Sequence, residues 1–186
     1  MRIEIILIGP MGSGKSTQGK LLAEALSLPR CSMDEVRWDY YREVGFDDEK
    51  QREIGEKEGF GGIYRYWKPF EAHAVERVLA DHPDCVIDFG AGHSVFEDDG
   101  LFERVRKVLA PYLNVVLLLP SPDLEESIKI LHARNGGGPP PGEFDLNSHF
   151  VRHHSNYDLA KIVVYTEGKT PEETRDSILM AIAKRT

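Results

Sequence analysis

Cysteine is scarce in this chain of 186 residues, which contains only Cys31 and Cys85. Two cysteines at these positions provide neither the disulfide framework of a small secreted domain nor the closely spaced cysteine pairs of a zinc site. The sequence therefore predicts reduced, partly buried thiols in a cytosolic protein.

Long apolar runs and an excess of positive charge are also lacking. The first apolar stretch, residues 3–8, is too short to cross a membrane and continues into a glycine-rich loop instead of a cleavage site, so we expect a strand and no membrane association. Only 23 lysines and arginines face 31 acidic residues, which gives a formal net charge of −8. Because a surface that binds phosphodiesters needs clustered cations, we expect no nucleic-acid partner.

A glycine-rich loop follows the first apolar stretch. Its sequence, GPMGSGKS at residues 9–16, matches the phosphate-loop pattern G-x-x-x-x-G-K-[ST]. Glycines let the backbone curl so that successive N–H groups point at phosphate oxygens, Lys15 adds a mobile cation, and the Ser16 hydroxyl is a ligand for Mg²⁺. A plain glycine turn between strand and helix is the alternative. The residues predicted to bind ATP are Gly12, Ser13, Gly14, Lys15, Ser16 and Thr17.

Apolar, β-rich stretches alternate with helical patterns along the chain, which predicts an α/β fold with a mostly parallel, doubly wound sheet. The length fits one domain, which we expect to cover residues 1–186. Ligands of such sheets bind beyond the carboxyl ends of the strands. The expected strands are residues 3–8, 28–32, 85–89, 114–119 and 162–165. The expected helices are residues 15–27, 34–44, about 67–81, 100–110, 122–134 and 171–184.

Two carboxylates follow predicted strands. Asp34 begins a helix after the second strand, where it can accept or orient the proton of a substrate hydroxyl; capping of that helix is the alternative. Asp88 closes the third strand, where we expect it to hold Mg²⁺ through water, and a solvated aspartate in a turn is the alternative. Gly90 and Gly92 let the backbone approach a small substrate closely. We expect His93 to be a rim or capping residue.

Positive side chains flank a loop at residues 135–142, where three glycines precede three prolines. We interpret this loop as a lid hinge, with a floppy surface loop as the alternative. Arg134 would swing onto the phosphates as the lid closes, and capping of its helix is the alternative. Arg152, beyond the loop, would clamp a substrate carboxylate or phosphate. His153 and His154 point apart on a helix, which favours a solvated face over a metal site.

Residues 61–68, GGIYRYWK, combine a flexible start with aromatic rings and two cations. One interpretation is the wall of an acceptor pocket, in which a ring stacks on the acceptor while Arg65 or Lys68 meets a negative group. The other, compatible with the first, is a helix that packs its rings into the core: Tyr64, Trp67 and Phe70.

With these motifs, the chain resembles the shikimate-kinase-like branch of the P-loop small-molecule and nucleoside-monophosphate kinases. The resemblance is strongest in residues 5–26, with the loop GPMGSGKST, and in residues 156–183, with the turn GKTPEE. It implies a three-layer α/β/α P-loop fold with five parallel strands in the order 2-3-1-4-5. It also implies an acceptor-binding segment at about residues 34–81 and a lid at about residues 134–150.

The resemblance further implies roles for individual residues. Asp34 falls on the family's substrate-hydroxyl carboxylate and Arg134 on its lid arginine. The departures lie where the substrate binds: Ser32 stands in place of an acidic residue of the metal shell, whose role then passes to Asp88, and the lid is rich in glycine and proline. Ala91 also interrupts a glycine triplet. The family's substrate-binding positions are matched by Gly90, Ala91, Gly92 and Arg152, and by Lys68 or, as second choice, Arg65.

We therefore expect an ATP- and Mg²⁺-dependent kinase that phosphorylates a hydroxyl of a small polar metabolite, with shikimate among the candidate acceptors. Its expected catalytic residues are Lys15, Asp34 and Arg134. One alternative is a nucleoside or nucleotide kinase in which Tyr64 and Trp67 stack a base. Another is a nucleotide-binding switch or slow ATPase that acts through a protein partner. The sequence predicts no particular oligomeric state.

Overall fold

The computed structural model describes residues 4–140 and 142–185. The fold is centred on five parallel strands in the order β2-β3-β1-β4-β5, which confirms the predicted order. Residue 3, the expected first residue of β1, lies outside the described residues. Strands β1 and β4 are buried along their whole length, as central parallel strands between two layers of helices must be. The strands are β1 Ile5–Ile8, β2 Arg30–Ser32, β3 Val86–Asp88, β4 Val115–Leu119 and β5 Ile162–Tyr165.

In the described ranges, eight α-helices connect and cover the strands, and a 3₁₀ turn, Ala91–Ser94, follows β3. Thr170 and Glu173 form a capping box at the start of the last helix, as the sequence pattern T-P-E-E predicts. None of these helices combines the length and the apolar character needed to span a membrane. The helices are α1 Lys15–Leu26, α2 Met33–Glu43, α3 Asp48–Asp81, α4 Asp99–Leu109, α5 Leu124–Arg134, α6 Leu146–Arg152, α7 His154–Leu159 and α8 Pro171–Ala183.

Alternation of side chains along β1 separates the two helical layers. Ile5 and Leu7 pack with residues of α1 and α8, whereas Ile6 and Ile8 pack with residues of α3 and α4 on the other face. The three-layer α/β/α arrangement is therefore as predicted. Because the strands are parallel, the segments that follow β1, β2 and β3 meet at one edge of the sheet, and the candidate site lies there.

Helix α3 is much longer than the predicted helix at about residues 67–81. It begins at Asp48 because Asp47 caps it, accepting two N–H groups of the first turn at 2.8 and 3.2 Å. Its first half is polar and largely exposed, so it lacks the apolar periodicity that marks a helix in sequence. Gly59 makes a kink with φ of 65° and ψ of −162°. Residues 61–68, for which the sequence predicts a flexible start, are therefore helical.

Two short helices, α6 and α7, lie outside the expected helix ranges, and the expectation that His153 and His154 point apart on one helix is wrong, because His153 is the N-cap of α7 and its ring stacks on that of His154 with centroids 4.7 Å apart. Asp145 caps α6 and His153 caps α7, each accepting an N–H group of the first turn. With 7 and 6 residues, the helices are too short to show a periodic pattern. In the described residues, the irregular part of the predicted lid is confined to residues 135–140 and 142–145.

Cys31 and Cys85 are both free and buried, as the sequence predicts. Burial raises the pKa of the Cys31 thiol to about 11, which makes it a poor nucleophile. The cytosolic location stays a prediction of the sequence.

Candidate active site

The phosphate loop joins β1 to α1, and its glycines determine its shape. Gly12 and Gly14 have φ of 78° and 96°, in the left-handed region that favours glycine. Gly14 is the N-cap of α1 and brings no capping side chain, so the first N–H groups of the helix are available to a phosphate. Lys15 Nζ donates to the carbonyl oxygens of Gly9 and Pro10 at 2.8 Å each, which holds the loop closed.

Lys15 is buried although its side chain is a charged one. Burial lowers the pKa of its ammonium group to about 8, while the nearby carboxylates of Asp34 and Asp88 oppose the shift. Phosphate oxygens would favour the charged form. The ammonium group of Lys15 is therefore placed to leave the carbonyl oxygens of the loop and bind the phosphates of a nucleotide.

A cavity of about 460 Å³ adjoins the loop, and we call it the phosphate cavity. It brings the predicted phosphate-binding residues together with Asp34 and Arg134. Ser13 lines a smaller neighbouring cavity, and its buried hydroxyl has no hydrogen-bond partner among the described residues. The phosphate cavity is lined by Met11, Gly12, Gly14, Lys15, Ser16, Thr17, Asp34, Ala91 and Arg134.

The end of α5 rests on the phosphate loop. Arg134 Nη1 donates to the carbonyl oxygen of Gly12 at 3.2 Å, and Asn135 Nδ2 donates to that of Met11 at 3.2 Å. A Cβ placed at Gly12 would lie 2.8 Å from Asn135 Nδ2 and would displace that side chain, while the positive φ of Gly12 is the stronger reason for a glycine there. Arg134 therefore lies against the phosphate loop, its movement onto the phosphates stays a prediction, and Asn135 is a neighbour that the sequence gives no reason to expect.

Asp34 lies in the first turn of α2, directly after β2. Ser32 is the N-cap, and no side chain caps the helix, so the Asp34 carboxylate is not used in capping. This side chain is 57% exposed, and its Oδ1 lies 3.6 Å from Arg37 Nη1. A Cβ placed at Gly90 would lie 2.7 Å from the same oxygen, which explains a glycine at that position. The carboxylate is thus accessible to a hydroxyl in the phosphate cavity.

Asp88 ends β3 inside a hydrogen-bonded cluster, which excludes the alternative of a solvated aspartate in a turn. Arg30 donates from Nε to Oδ2 at 2.8 Å and from Nη2 to Oδ1 at 3.2 Å. Ser32 lies opposite Asp88 in the β2–β3 register, and its hydroxyl donates to Oδ1 at 3.1 Å. The predicted strand order places β2 beside β3, but nothing in the residue pattern singles out Arg30 as the partner of Asp88.

A second cavity, of about 350 Å³, meets the phosphate cavity at Asp34. The two cavities share Met11, Asp34 and Ala91. We call the second one the aromatic cavity, because rings from α3 and α6 line it. Its remaining lining residues are Arg37, Phe60, Tyr64, Trp67, Glu71, Gly92, His93, Leu146 and Phe150.

Comparison with known proteins identifies the family. The family model for shikimate kinase matches residues 11–183, from the phosphate loop to the last helix. The chain belongs to the shikimate kinase family. It is accordingly an ATP-dependent phosphotransferase that acts on a hydroxyl of a small metabolite.

Curated relatives and solved structures cover nearly the whole chain. The shikimate kinases of Streptomyces coelicolor and Streptomyces avermitilis are 34% identical over 181 residues and 30% identical over 184 residues, each covering 96% of this chain and 94% of the relative. The structure of shikimate kinase from Acinetobacter baumannii in complex with shikimate matches with a TM-score of 0.65 at 22% identity, covering 98% of this chain and 94% of that chain. A gluconokinase from Sinorhizobium meliloti matches with a TM-score of 0.55 at 19% identity, covering 98% and 92%. At these identities, the structural likeness establishes the fold alone.

Lys68, a predicted substrate-binding residue, binds to other groups of the protein itself. Its Nζ donates to the carbonyl oxygens of Gly92 and Val95 at 3.0 Å each and forms an ion pair with Glu71. It also lies 4.1 Å from the centroid of the Tyr64 ring. Burial raises the pKa of Glu71, and the charge of Lys68 opposes that shift. All three donors of the ammonium group are therefore used inside the protein.

Arg65 and Arg152, the other predicted substrate cations, point away from both cavities. Arg65 is exposed on α3 and pairs with Glu58 at 2.6 Å. Arg152, at the end of α6, pairs with Glu125 and donates to Ser148 Oγ at 3.2 Å. Neither lines the aromatic cavity. The structure therefore departs here from the positions that the family resemblance implies.

Among the described residues that line the aromatic cavity, Arg37 is the one lysine or arginine. It follows Asp34 by three positions on α2, and its guanidinium lies 4.6 Å from the ring centroid of Trp38 and 5.6 Å from that of Trp67. The spacing of Asp34 and Arg37 on one helix face was a usable signal in the sequence, because a helix was predicted there.

His93 is fully buried in the 3₁₀ turn, so the expectation of a rim residue is wrong. Its Nε2 lies 3.1 Å from the Tyr41 hydroxyl, and its Nδ1 has no hydrogen-bond partner among the described residues. Burial, with help from the charges of Arg37 and Lys68, holds the pKa of His93 well below its ordinary value. The ring is therefore neutral, and it lines the aromatic cavity beside Asp34.

Glu97, His149 and His153 form a cluster behind Tyr64, with their ligand atoms within 4.8 Å of one another. Glu97 Oε1 lies 2.6 Å from His149 Nε2 and accepts a hydrogen bond from the Tyr64 hydroxyl at 2.8 Å. His153 Nδ1 accepts the N–H of Ser155 as it caps α7, which leaves the proton of a neutral ring on Nε2 and no lone pair there for a metal. The cluster serves to fix Tyr64 of α3 against α6.

Proposed function

We propose that this kinase transfers the γ-phosphate of ATP to a hydroxyl that Asp34 holds at the junction of the phosphate cavity and the aromatic cavity. The observation that carries the proposal is the shared wall: Met11, Asp34 and Ala91 line both spaces. A nucleotide phosphate in one and an acceptor in the other would approach each other at an accessible carboxylate. Positioning of this kind supplies most of the catalysis in phosphoryl transfer.

The residues of the phosphate cavity have complementary roles in this proposal. Lys15 and the backbone N–H groups of the loop bind the β- and γ-phosphates, because both are aimed at the same space. Asp34 orients the attacking hydroxyl and takes up its proton late, since a loose transition state needs little proton abstraction. Arg134 stabilises the charge that develops on the transferred group, and its present contact with Gly12 places it at the loop.

Mg²⁺, when bound, neutralises charge on the phosphates. Ser16 fits it directly, because it lines the phosphate cavity and is exposed there. Asp88 lies near enough to raise the pKa of Lys15, but it is buried, lines neither cavity and has three of the roughly four lone-pair sites of its carboxylate taken by Arg30 and Ser32, so about one site remains for a water molecule of the metal shell. We propose that Asp88, one strand away from Ser32, replaces the family's acidic residue in the metal shell.

A coupled assay of ADP release tests the proposal, with shikimate, gluconate, nucleosides, nucleoside monophosphates and aminoglycosides as acceptors. We expect saturable acceleration by members of one acceptor class. If no small acceptor raises ADP release above the rate with ATP alone, while a protein from a lysate does, the switch interpretation replaces this one.

A nucleoside kinase is the second candidate, because Tyr64 and Trp67 line the aromatic cavity, where a base would stack. Saturable acceleration by a nucleoside, with none by shikimate or gluconate, would establish it.

A further inference from the structure

We infer that Arg37 binds a carboxylate of the acceptor, so that one turn of α2 holds both this carboxylate and the hydroxyl that Asp34 orients. The inference rests on the proposed function and specifies its acceptor class, a small hydroxy acid. It depends on three observations: the position of Arg37, its unused hydrogen-bonding capacity, and the absence of the other predicted substrate cations from the aromatic cavity.

Arg37 lies on the same face of α2 as Asp34 and lines the aromatic cavity. Its Nη1 lies 3.6 Å from Asp34 Oδ1, three positions earlier on the helix. The guanidinium lies against two rings, 4.6 Å from the ring centroid of Trp38 and 5.6 Å from that of Trp67. Aromatic rings attract a cation without neutralising its charge. A positive charge is therefore held next to the carboxylate at which the hydroxyl is phosphorylated.

The protein does not use all the hydrogen-bond donors of Arg37. Its Nε is buried and has no hydrogen-bond partner among the described residues. The distance of 3.6 Å to Asp34 is longer than a hydrogen bond, and 24% of the Arg37 side chain is exposed. Arg30 is different, because Asp88 accepts from both its Nε and its Nη2. Since a guanidinium has five N–H donors, Arg37 can face Asp34 and still bind a carboxylate of the acceptor.

The other predicted substrate cations are engaged elsewhere. Lys68 is held by carbonyl oxygens and an ion pair inside the protein, while Arg65 and Arg152 pair with acids outside the cavity. The ring of His93 is neutral, because burial holds its pKa well below the ordinary value. Among the described residues that line the aromatic cavity, Arg37 is therefore the only cation available to an acceptor.

The charges around the cavity favour a carboxylate over a phosphate as the group that Arg37 binds. Two carboxylates, Asp34 and Glu71, already line the cavity, so an anion with two negative charges meets more repulsion than an anion with one. A planar carboxylate also matches two parallel N–H groups of a guanidinium. Partial burial of Arg37 strengthens this contact, since the effective dielectric constant is lower there than in water.

Binding of two matched pairs of probes tests the inference. Isothermal titration calorimetry of the protein with saturating ADP and Mg²⁺ compares shikimate with its methyl ester and gluconate with gluconamide. In at least one pair, we expect the acid to bind at least about tenfold more tightly than its neutral partner, because one charged hydrogen-bonded contact is lost in the latter. Arg37→Gln should reduce this preference to less than about threefold, and Arg152→Gln, which changes an exposed arginine outside the cavity, should retain it.

The two tryptophans of the chain, Trp38 and Trp67, provide a second measurement that needs no variant. Both lie against the guanidinium of Arg37, so the acid that binds should change their fluorescence emission in the unmodified protein. Heat of binding without any change in emission would place the carboxylate elsewhere and overturn the inference.

Three results of the calorimetry would also overturn the inference: no preference for the acid in either pair, a preference that persists in Arg37→Gln, or a preference that is lost in Arg152→Gln. Binding does not require turnover. A kinase with a neutral nucleoside as acceptor would show no preference for the acids and would still release ADP faster with the nucleoside. A failure of the inference is therefore distinguishable from a failure of the proposed function.

Discussion

The phosphate cavity and the aromatic cavity meet at Asp34 but are built in different ways. Six of the nine residues that line the phosphate cavity lie between positions 11 and 17, in the loop that joins β1 to α1 and at the start of that helix, and Asp34, Ala91 and Arg134 complete it. The aromatic cavity is made of side chains from α2, α3, the 3₁₀ turn and α6, which are far apart in sequence. The first arrangement tolerates little change in sequence, whereas the second can be relined residue by residue. A family can therefore keep its donor while its acceptor changes.

The largest effect is expected on the phosphate side. Lys15→Ala should reduce turnover of ATP by at least about 10³ and abolish most of the thermal stabilisation by ATP, because the buried cation aimed at the phosphates is lost. Lys20→Ala, an exposed lysine on the same helix, should change neither. Steady-state kinetics and a thermal melt with ATP measure both. Persistent stabilisation of the Lys15 variant by ATP would contradict the assigned donor site.

Asp34→Asn probes the junction of the two cavities. Turnover with the identified acceptor should fall by about 10²–10³, since the hydroxyl loses the carboxylate that orients it, while the KM for ATP should change by less than about twofold. Asp39→Asn, an exposed carboxylate on the same helix, is the control. Full turnover in the Asp34 variant would remove this residue from the mechanism.

The difference between the phosphate cavity and the aromatic cavity also explains how much of the fold and of the site the sequence could predict. The phosphate loop is a local pattern with a defined spacing, and the order of the strands, which the family resemblance implies, is as predicted. The pairing of Arg30 with Asp88 and the burial of Lys68 depend on which elements pack together, so composition and spacing do not reveal them. Helix α3 was underestimated because its polar first half is stabilised by a cap and by packing instead of an apolar stripe.

The buried pair of Lys68 and Glu71 should contribute to stability, in contrast to an exposed pair of the same type. Lys68→Met should lower the free energy of unfolding by about 3 kcal/mol, because it leaves Glu71 buried without its partner. Lys129→Met, which removes an exposed pair with Glu126, should cost less than about 0.5 kcal/mol. Urea denaturation compares the two variants. Equal losses would contradict the buried ion pair of Lys68 with Glu71.

The lowered pKa of Lys15 makes ATP binding sensitive to pH. The protonated side chain binds phosphates, and its pKa in the free enzyme is about 8, so the KM for ATP should be nearly flat below pH 8 and rise about tenfold per unit above it. The arginine of Lys15→Arg keeps its charge throughout this pH range. This variant should therefore not show the rise in the KM for ATP, whatever its turnover rate. A KM for the unmodified enzyme that stays flat between about pH 7 and pH 9.5 would contradict the burial of this lysine.

The smallest effect is expected at Arg152, where the family resemblance and the structure disagree. Its guanidinium pairs with Glu125 outside the aromatic cavity, so Arg152→Gln should change kcat/KM for the acceptor by less than about twofold. Arg37→Gln, which changes the arginine that does line the cavity, should lower the same quantity about tenfold. The reverse outcome would mean that Arg152 leaves its exposed pair with Glu125 and contacts the acceptor.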